Sequence, residues 1–129
     1  MEVIDEQLSL YLEDRNDRSY EGFSDFFCEC LDNLGISTAD FVRKCRIERT
    51  YVYQILKGMR NPGREKIIIM CIAAGLSFTM TQKALVIAKA GILYYRDDRD
   101  AVIIYAENHG LDLVDTNALL EKNGFTELN

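Results

Sequence analysis

Eight basic side chains fall within residues 36–66: Arg43, Lys44, Arg46, Arg49, Lys57, Arg60, Arg64 and Lys66, against Asp40, Glu48 and Glu65. The local balance is +5 in a chain whose net charge is -6, with -8 over residues 1–35 and -3 over residues 67–129. Side chains of this kind neutralise phosphate, and the footprint of nucleic-acid binding is a local patch rather than net charge. Other chemistry has little footing. The four cysteines, Cys28, Cys30, Cys45 and Cys71, form no CxxC pair, and His109 is the only histidine. That set lacks zinc spacing. Cys28 and Cys30, two residues apart, point about 200° apart on a helix, and all four read as small apolar thiols. The run RDDRD from Arg96 to Asp100 places three acids at a helix start, where caps and dipole partners belong. His109 suits a helix C-terminus. No nucleophile comes with a base at motif spacing, and GMRNPG is not a phosphate-binding loop. The expectation is no enzyme, no catalytic residue, no metal and no cofactor.

The elements that would position the patch are helices. Hydrophobic residues make up 48% of the 129, ample for a core and against global disorder. Strand alternation with hairpin turns is missing, and apolar residues recur at helical spacing. Gly35, Gly58, Gly75, Gly91, Gly110 and Gly124 each close such a segment, as C′ glycines do. An amphipathic segment is expected over residues 4–13. A helix follows on Phe23, Phe26, Phe27, Cys30, Leu31 and Leu34. Ser37 opens a capping-box-like start in STAD, with Phe41 and Val42 on the apolar face. Ile47 lies in the turn beyond it. Val52 and Ile55 face inward from the next helix, and Gly58 closes it. After Pro62, REKIIIMCIAAG reads as a buried helix. Ser77 caps FTMTQKALVIAKAG, Asp97 or Asp98 caps the helix of DRDAVIIYAENHG, and Asp112 caps LVDTNALLEKNG. In DRDAVIIYAENHG, residues Ala101, Val102, Ile104 and Tyr105 form the expected apolar face. The chain is thus expected to be all-α, with about seven helices. Its organisation reads as an acidic helical segment over 1–21, a domain over 22–78 and a helical C-terminal extension over 79–129.

Two short helices with a tight break, over residues 37–62, have the layout of a helix-turn-helix. The string Phe41-Val42, Thr50-Tyr51-Val52, Ile55, Gly58, Asn61-Pro62 and Gly75-Leu76-Ser77 resembles the lambda-repressor-like (Cro/C1-type, XRE) regulators. The likeness runs from about Phe23 to Phe78. It implies a lambda-repressor-like DNA-binding domain whose second helix, 49–57, enters the major groove. By this resemblance Arg49, Thr50, Tyr53 and Gln54 read bases: Arg can donate two bonds to guanine, and Gln can pair bidentately with adenine. Thr38, Arg43, Tyr51, Lys57, Arg60 and Asn61 meet phosphates and fix register. Three positions depart from the pattern. Arg46 stands where the turn usually has glycine, and a positive φ there would cost about 1 kcal/mol. Val42 replaces a usual alanine. Glu48 can cap the helix and suit its dipole, but it sets a carboxylate near phosphates.

The resemblance implies a sequence-specific transcriptional regulator of double-stranded DNA, with a homodimer matching a two-fold operator. The competing class is an interaction adaptor that keeps the fold without strong DNA binding. The extension would complete the core, make the dimer or dock a protein partner. No signal peptide or membrane span is expected, since IIIMCIAA is too short to cross a bilayer, so the chain reads as cytoplasmic.

Overall fold

Residues 22–129 are described by the computed structural model. The segment 1–21, with the helix expected over 4–13, lies outside the described residues. Seven helices and no strand occur among those described, which bears out the all-α expectation. They are α1 (Phe23–Leu34), α2 (Thr38–Lys44), α3 (Arg49–Leu56), α4 (Arg64–Ala74), α5 (Phe78–Ile87), α6 (Asp98–Asn108) and α7 (Leu113–Lys122).

Side-chain caps set most helix starts. Ser37 accepts from the Asp40 N–H, Ser77 from Met80, Asp97 from Asp100 and Asp112 from Asp115. Each satisfies a donor that the first turn leaves without a partner. All six expected glycines have positive φ. The end of α5 differs from expectation. The helix stops at Ile87, three residues early, and Lys89 takes a left-handed conformation at φ 55, alone among the described non-glycine residues.

α4 is the central helix, with Ile67, Ile68, Ile69, Met70, Cys71, Ile72 and Ala74 all buried. Against it lie α2, α5 and α7; α1 packs on α3 and α5, and α6 on α5 and α7. One continuous cluster runs from Phe23 to Leu128. Phe27 stands at its α1–α2 corner, stacked on Phe23 at 5.3 Å and edge-on to Phe41 at 5.0 Å. Leu34, expected inside, is 48% exposed, since α1 ends there and turns at Gly35.

Another correction concerns α6. Its buried residues are Asp100, Ile103 and Ala106, while Tyr105 is 52% exposed and Ala101, Val102 and Ile104 only half-buried. The apolar face read from the sequence is therefore only partly used: Val102 and Ile104 pack at the edge of the core and Tyr105 faces out. Ala101, Val102 and Tyr105 line an open hollow with Leu119 of α7 and Asn123 just beyond its end. The inward face begins instead with a buried carboxylate. Asp100 receives Arg64 Nη2 at 2.7 Å and the Tyr94 N–H at 3.0 Å. Arg64 also donates to the carbonyls of Gly91 and Ile92. Next to it, Arg99 grips Glu65 through two bonds of 2.9 and 2.7 Å and donates to the Thr126 and Glu127 carbonyls. The Arg99 guanidinium holds the Glu65 carboxyl below its ordinary range. The acids of RDDRD thus divide: Asp97 caps, Asp98 is exposed, and Asp100 pairs across the fold.

Candidate nucleic-acid interface

α3 is eight residues long, too short to be stable alone, so packing and capping must hold it. Val52 and Ile55 are completely buried, and Tyr51 and Leu56 pack at the core's edge. At about 100° per residue, this leaves Thr50, Tyr53, Gln54 and Lys57 on the opposite side. Glu48 caps the helix by accepting from the Thr50 and Tyr51 N–H groups, each at 2.9 Å. Those two bonds hold its carboxyl below the ordinary range. The cap thereby fixes an exposed negative charge at the helix entrance.

The other end is closed by a Schellman motif. The Gly58 N–H bonds to the Ile55 carbonyl and the Met59 N–H to that of Gln54. Gly58 has φ +75, and a Cβ there would come within 3.3 Å of Ser24 Oγ on α1. Cys28 Sγ of α1 donates to the Leu56 carbonyl at 3.5 Å. The start of α1 therefore abuts the exit of α3.

Between α2 and α3 the turn carries no left-handed residue, so the expected strain at Arg46 is not present. The chain leaves α2 through Cys45 in an extended conformation. Cys45 and Ile47 point into the core and leave Arg46 exposed between them. Alternation in an extended segment does here what glycine does elsewhere. All four cysteines are free thiols, and burial pushes the Cys71 thiol well above its ordinary value.

The expected base-reading residues sit together on α3. Arg49 and Thr50 are exposed, and Tyr53 and Gln54 half-exposed. The Arg49 guanidinium lies 5.5 Å from the Tyr53 ring centre. Gln54 Oε1 accepts from Arg60 Nε at 2.7 Å, and the Arg60 guanidinium lies 5.6 Å from the Tyr51 ring centre. Tyr51, Gln54 and Arg60 thus form one unit, in which the Arg60 bond takes one lone pair of the Gln54 oxygen and leaves the other, with the amide NH2, for a partner such as adenine. Of the expected phosphate contacts, Thr38, Arg43, Lys57, Arg60 and Asn61 are exposed, with Arg43 paired to Asp40 one turn earlier on α2. Lys44 and Arg46 are exposed beside them and carry no role in the family pattern. Only the local charge balance signals those two.

Among the described residues, no group of three or more His, Cys, Asp or Glu could hold a metal ion, and no helix is long and apolar enough to cross a membrane. No protein-family model, curated protein or solved structure matches the chain.

Proposed function

We propose that this protein is a sequence-specific DNA-binding regulator of the lambda-repressor-like kind, reading bases through α3 in the major groove. The observation that carries this is the outer face of α3. Arg49, Thr50, Tyr53 and Gln54 are presented on a helix whose other side is anchored by fully buried Val52 and Ile55. Exposed Arg43, Lys44 and Arg46 precede α3 in the chain and Lys57 and Arg60 follow it, and side chains of this kind suit phosphate neutralisation. A homodimer would place two such helices on successive half-sites, and bound dimers would act by blocking or recruiting the transcription machinery.

A second class of function is favoured by a different observation. The Glu48 carboxylate, held by two backbone bonds, faces whatever approaches the start of α3. The hollow of Ala101, Val102, Tyr105, Leu119 and Asn123 offers an apolar surface well away from it in sequence. An adaptor would use such a surface and leave DNA alone.

Selection from a pool of random duplexes at two salt concentrations separates the two. Arg49→Ala and Gln54→Ala are measured beside the parent. The regulator gives one enriched sequence family, a steep salt slope and loss of enrichment in both variants. A folded parent that enriches nothing at low salt overturns it in favour of the adaptor.

A further inference from the structure

Gln54 is held twice by the loop that follows α3. The Met59 N–H donates to its backbone carbonyl at 2.8 Å, and Arg60 Nε donates to its side-chain Oε1 at 2.7 Å. The turn at Gly58, with φ +75, folds the chain back so that both bonds form. Arg60 is itself seated. Its guanidinium lies 5.6 Å from the ring centre of Tyr51, which packs at the edge of the core. Among the described residues, the salt bridges do not involve Arg60. The family resemblance gives Arg60 only a phosphate, and nothing in the spacing joins it to Gln54, six positions earlier.

The chemistry of that bond fixes which way the amide points. An arginine carries five N–H donors and no acceptor, whereas a glutamine amide has an oxygen at one end and NH2 at the other. Only the oxygen can face Arg60, since turning the amide over would set NH2 against N–H. A free glutamine amide turns readily about its last bond and presents donor and acceptor in either order. In the major groove that order is information. Adenine shows an acceptor, N7, beside a donor, N6, while guanine shows two acceptors, N7 and O6. An amide held in one orientation, with its NH2 and one oxygen lone pair free, suits the adenine edge. It has no second arrangement to offer guanine.

We propose that Arg60 is a positioning residue for specificity: it locks the Gln54 amide and so sharpens the choice at one base pair. The lock stands on the contacts above; its use rests on the base-reading function proposed for α3. Two roles of Arg60 separate here. A phosphate contact acts through charge, equally on all sequences, and lysine would replace it. A lock acts through a planar guanidinium with a fixed Nε–H, which lysine lacks.

Two measurements on the full chain test this. The first needs no DNA. In proton–nitrogen correlation spectra, the side-chain NH2 signals of Gln54 are expected to shift in Arg60→Lys and to stay in Lys44→Ala. Signals that stay in both overturn the lock. The second is selection from random duplexes by the parent, Gln54→Ala, Arg60→Lys and Lys57→Ala, each shown by thermal melting to be folded. The parent is expected to prefer one base by about tenfold at the position that Gln54→Ala relaxes. Arg60→Lys should cut that preference to within about threefold, with the other positions and the salt slope unchanged. Lys57→Ala should instead weaken all sequences alike and lower the salt slope by about one. An Arg60→Lys profile equal to the parent's overturns the positioning role and leaves the base reading intact. A parent that enriches nothing, with the Gln54 signals still moved, refutes the base reading and with it the use of the lock.

Discussion

Removing Asp100 should destabilise the whole fold although the residue lies far in sequence from α3. Asp100→Ala deletes the acceptor for Arg64 Nη2 at 2.7 Å and for the Tyr94 N–H at 3.0 Å. A hydrogen bond from a charged donor contributes about 1.5–3 kcal/mol and a neutral one about 0.5–1.5 kcal/mol. The stranded guanidinium keeps its bonds to Gly91 and Ile92 and is 29% exposed. Water therefore reaches part of the uncompensated charge. The cost then falls at or below the roughly 3–5 kcal/mol of breaking a fully buried pair. The expected loss is about 2–4 kcal/mol, which would move a urea midpoint down by about 1–2 M. Asp100→Asn, which keeps one acceptor and loses the charge, should fall in between, at about 1–2 kcal/mol. The control is Asp98→Asn, two residues earlier and exposed, which should change stability by less than about 0.5 kcal/mol. An Asp100→Ala loss below about 1 kcal/mol, or one equal to that of Asp98→Asn, would refute the claim that this pair clamps α4 to α6.

Three further outcomes follow from the geometry. The Thr81 hydroxyl donates to both Glu107 oxygens, at 3.0 and 2.9 Å, and burial pushes the Glu107 carboxyl up to about 7. Because the folded value lies above the unfolded one, stability falls as pH rises from about 4.5 to 7; Glu107→Gln should raise stability by about 1–2 kcal/mol at pH 8 and leave it unchanged at pH 4, read from thermal melts. Gly58→Ala combines positive φ with a 3.3 Å approach to Ser24 Oγ, so chemical denaturation should show a loss of about 1–2 kcal/mol. Lys89→Gly relieves the left-handed lysine at φ 55; calorimetry should show a gain of about 0.5–1 kcal/mol, and a loss would mean that the lysine stem contributes packing.

Local chemistry made much of this fold legible. Ser37, Glu48, Ser77, Asp97 and Asp112 cap the helices they precede because a first turn leaves donors that a short polar side chain can reach. The six glycines mark chain reversals because a left-handed residue is costly with a Cβ. What was not legible depends on residues distant in sequence. Asp100 is buried because Arg64, 36 positions away, meets it. Periodicity gives α6 two apolar flanks and cannot choose between them; the contacts with α5 and α7 turn Ile103 and Ala106 inward and leave Tyr105 out. Arg46 avoids strain because Cys45 and Ile47 supply the buried side chains of an extended turn, which no single position announces. On the candidate interface, the four α3 residues share one face as their spacing requires. The bond between Gln54 and Arg60 arises because the loop folds back after Gly58.

Arg64 and Glu65 open α4 directly after the loop that leaves α3, and both are gripped from the far half of the chain, Arg64 by Asp100 and Glu65 by Arg99. Seven residues, 57–63, separate the end of α3 from this clamp. The loop bearing Arg60 and Asn61 is therefore strung between two fixed posts, one of which belongs to α6. This limits portability. A graft of residues 22–78 onto another scaffold would carry every side chain of the α3 face but leave one post behind. Swapping the recognition element between proteins would require Arg99 and Asp100 to travel with it. Changes on α6 would also reach the set of Arg60 against Gln54 without altering either residue.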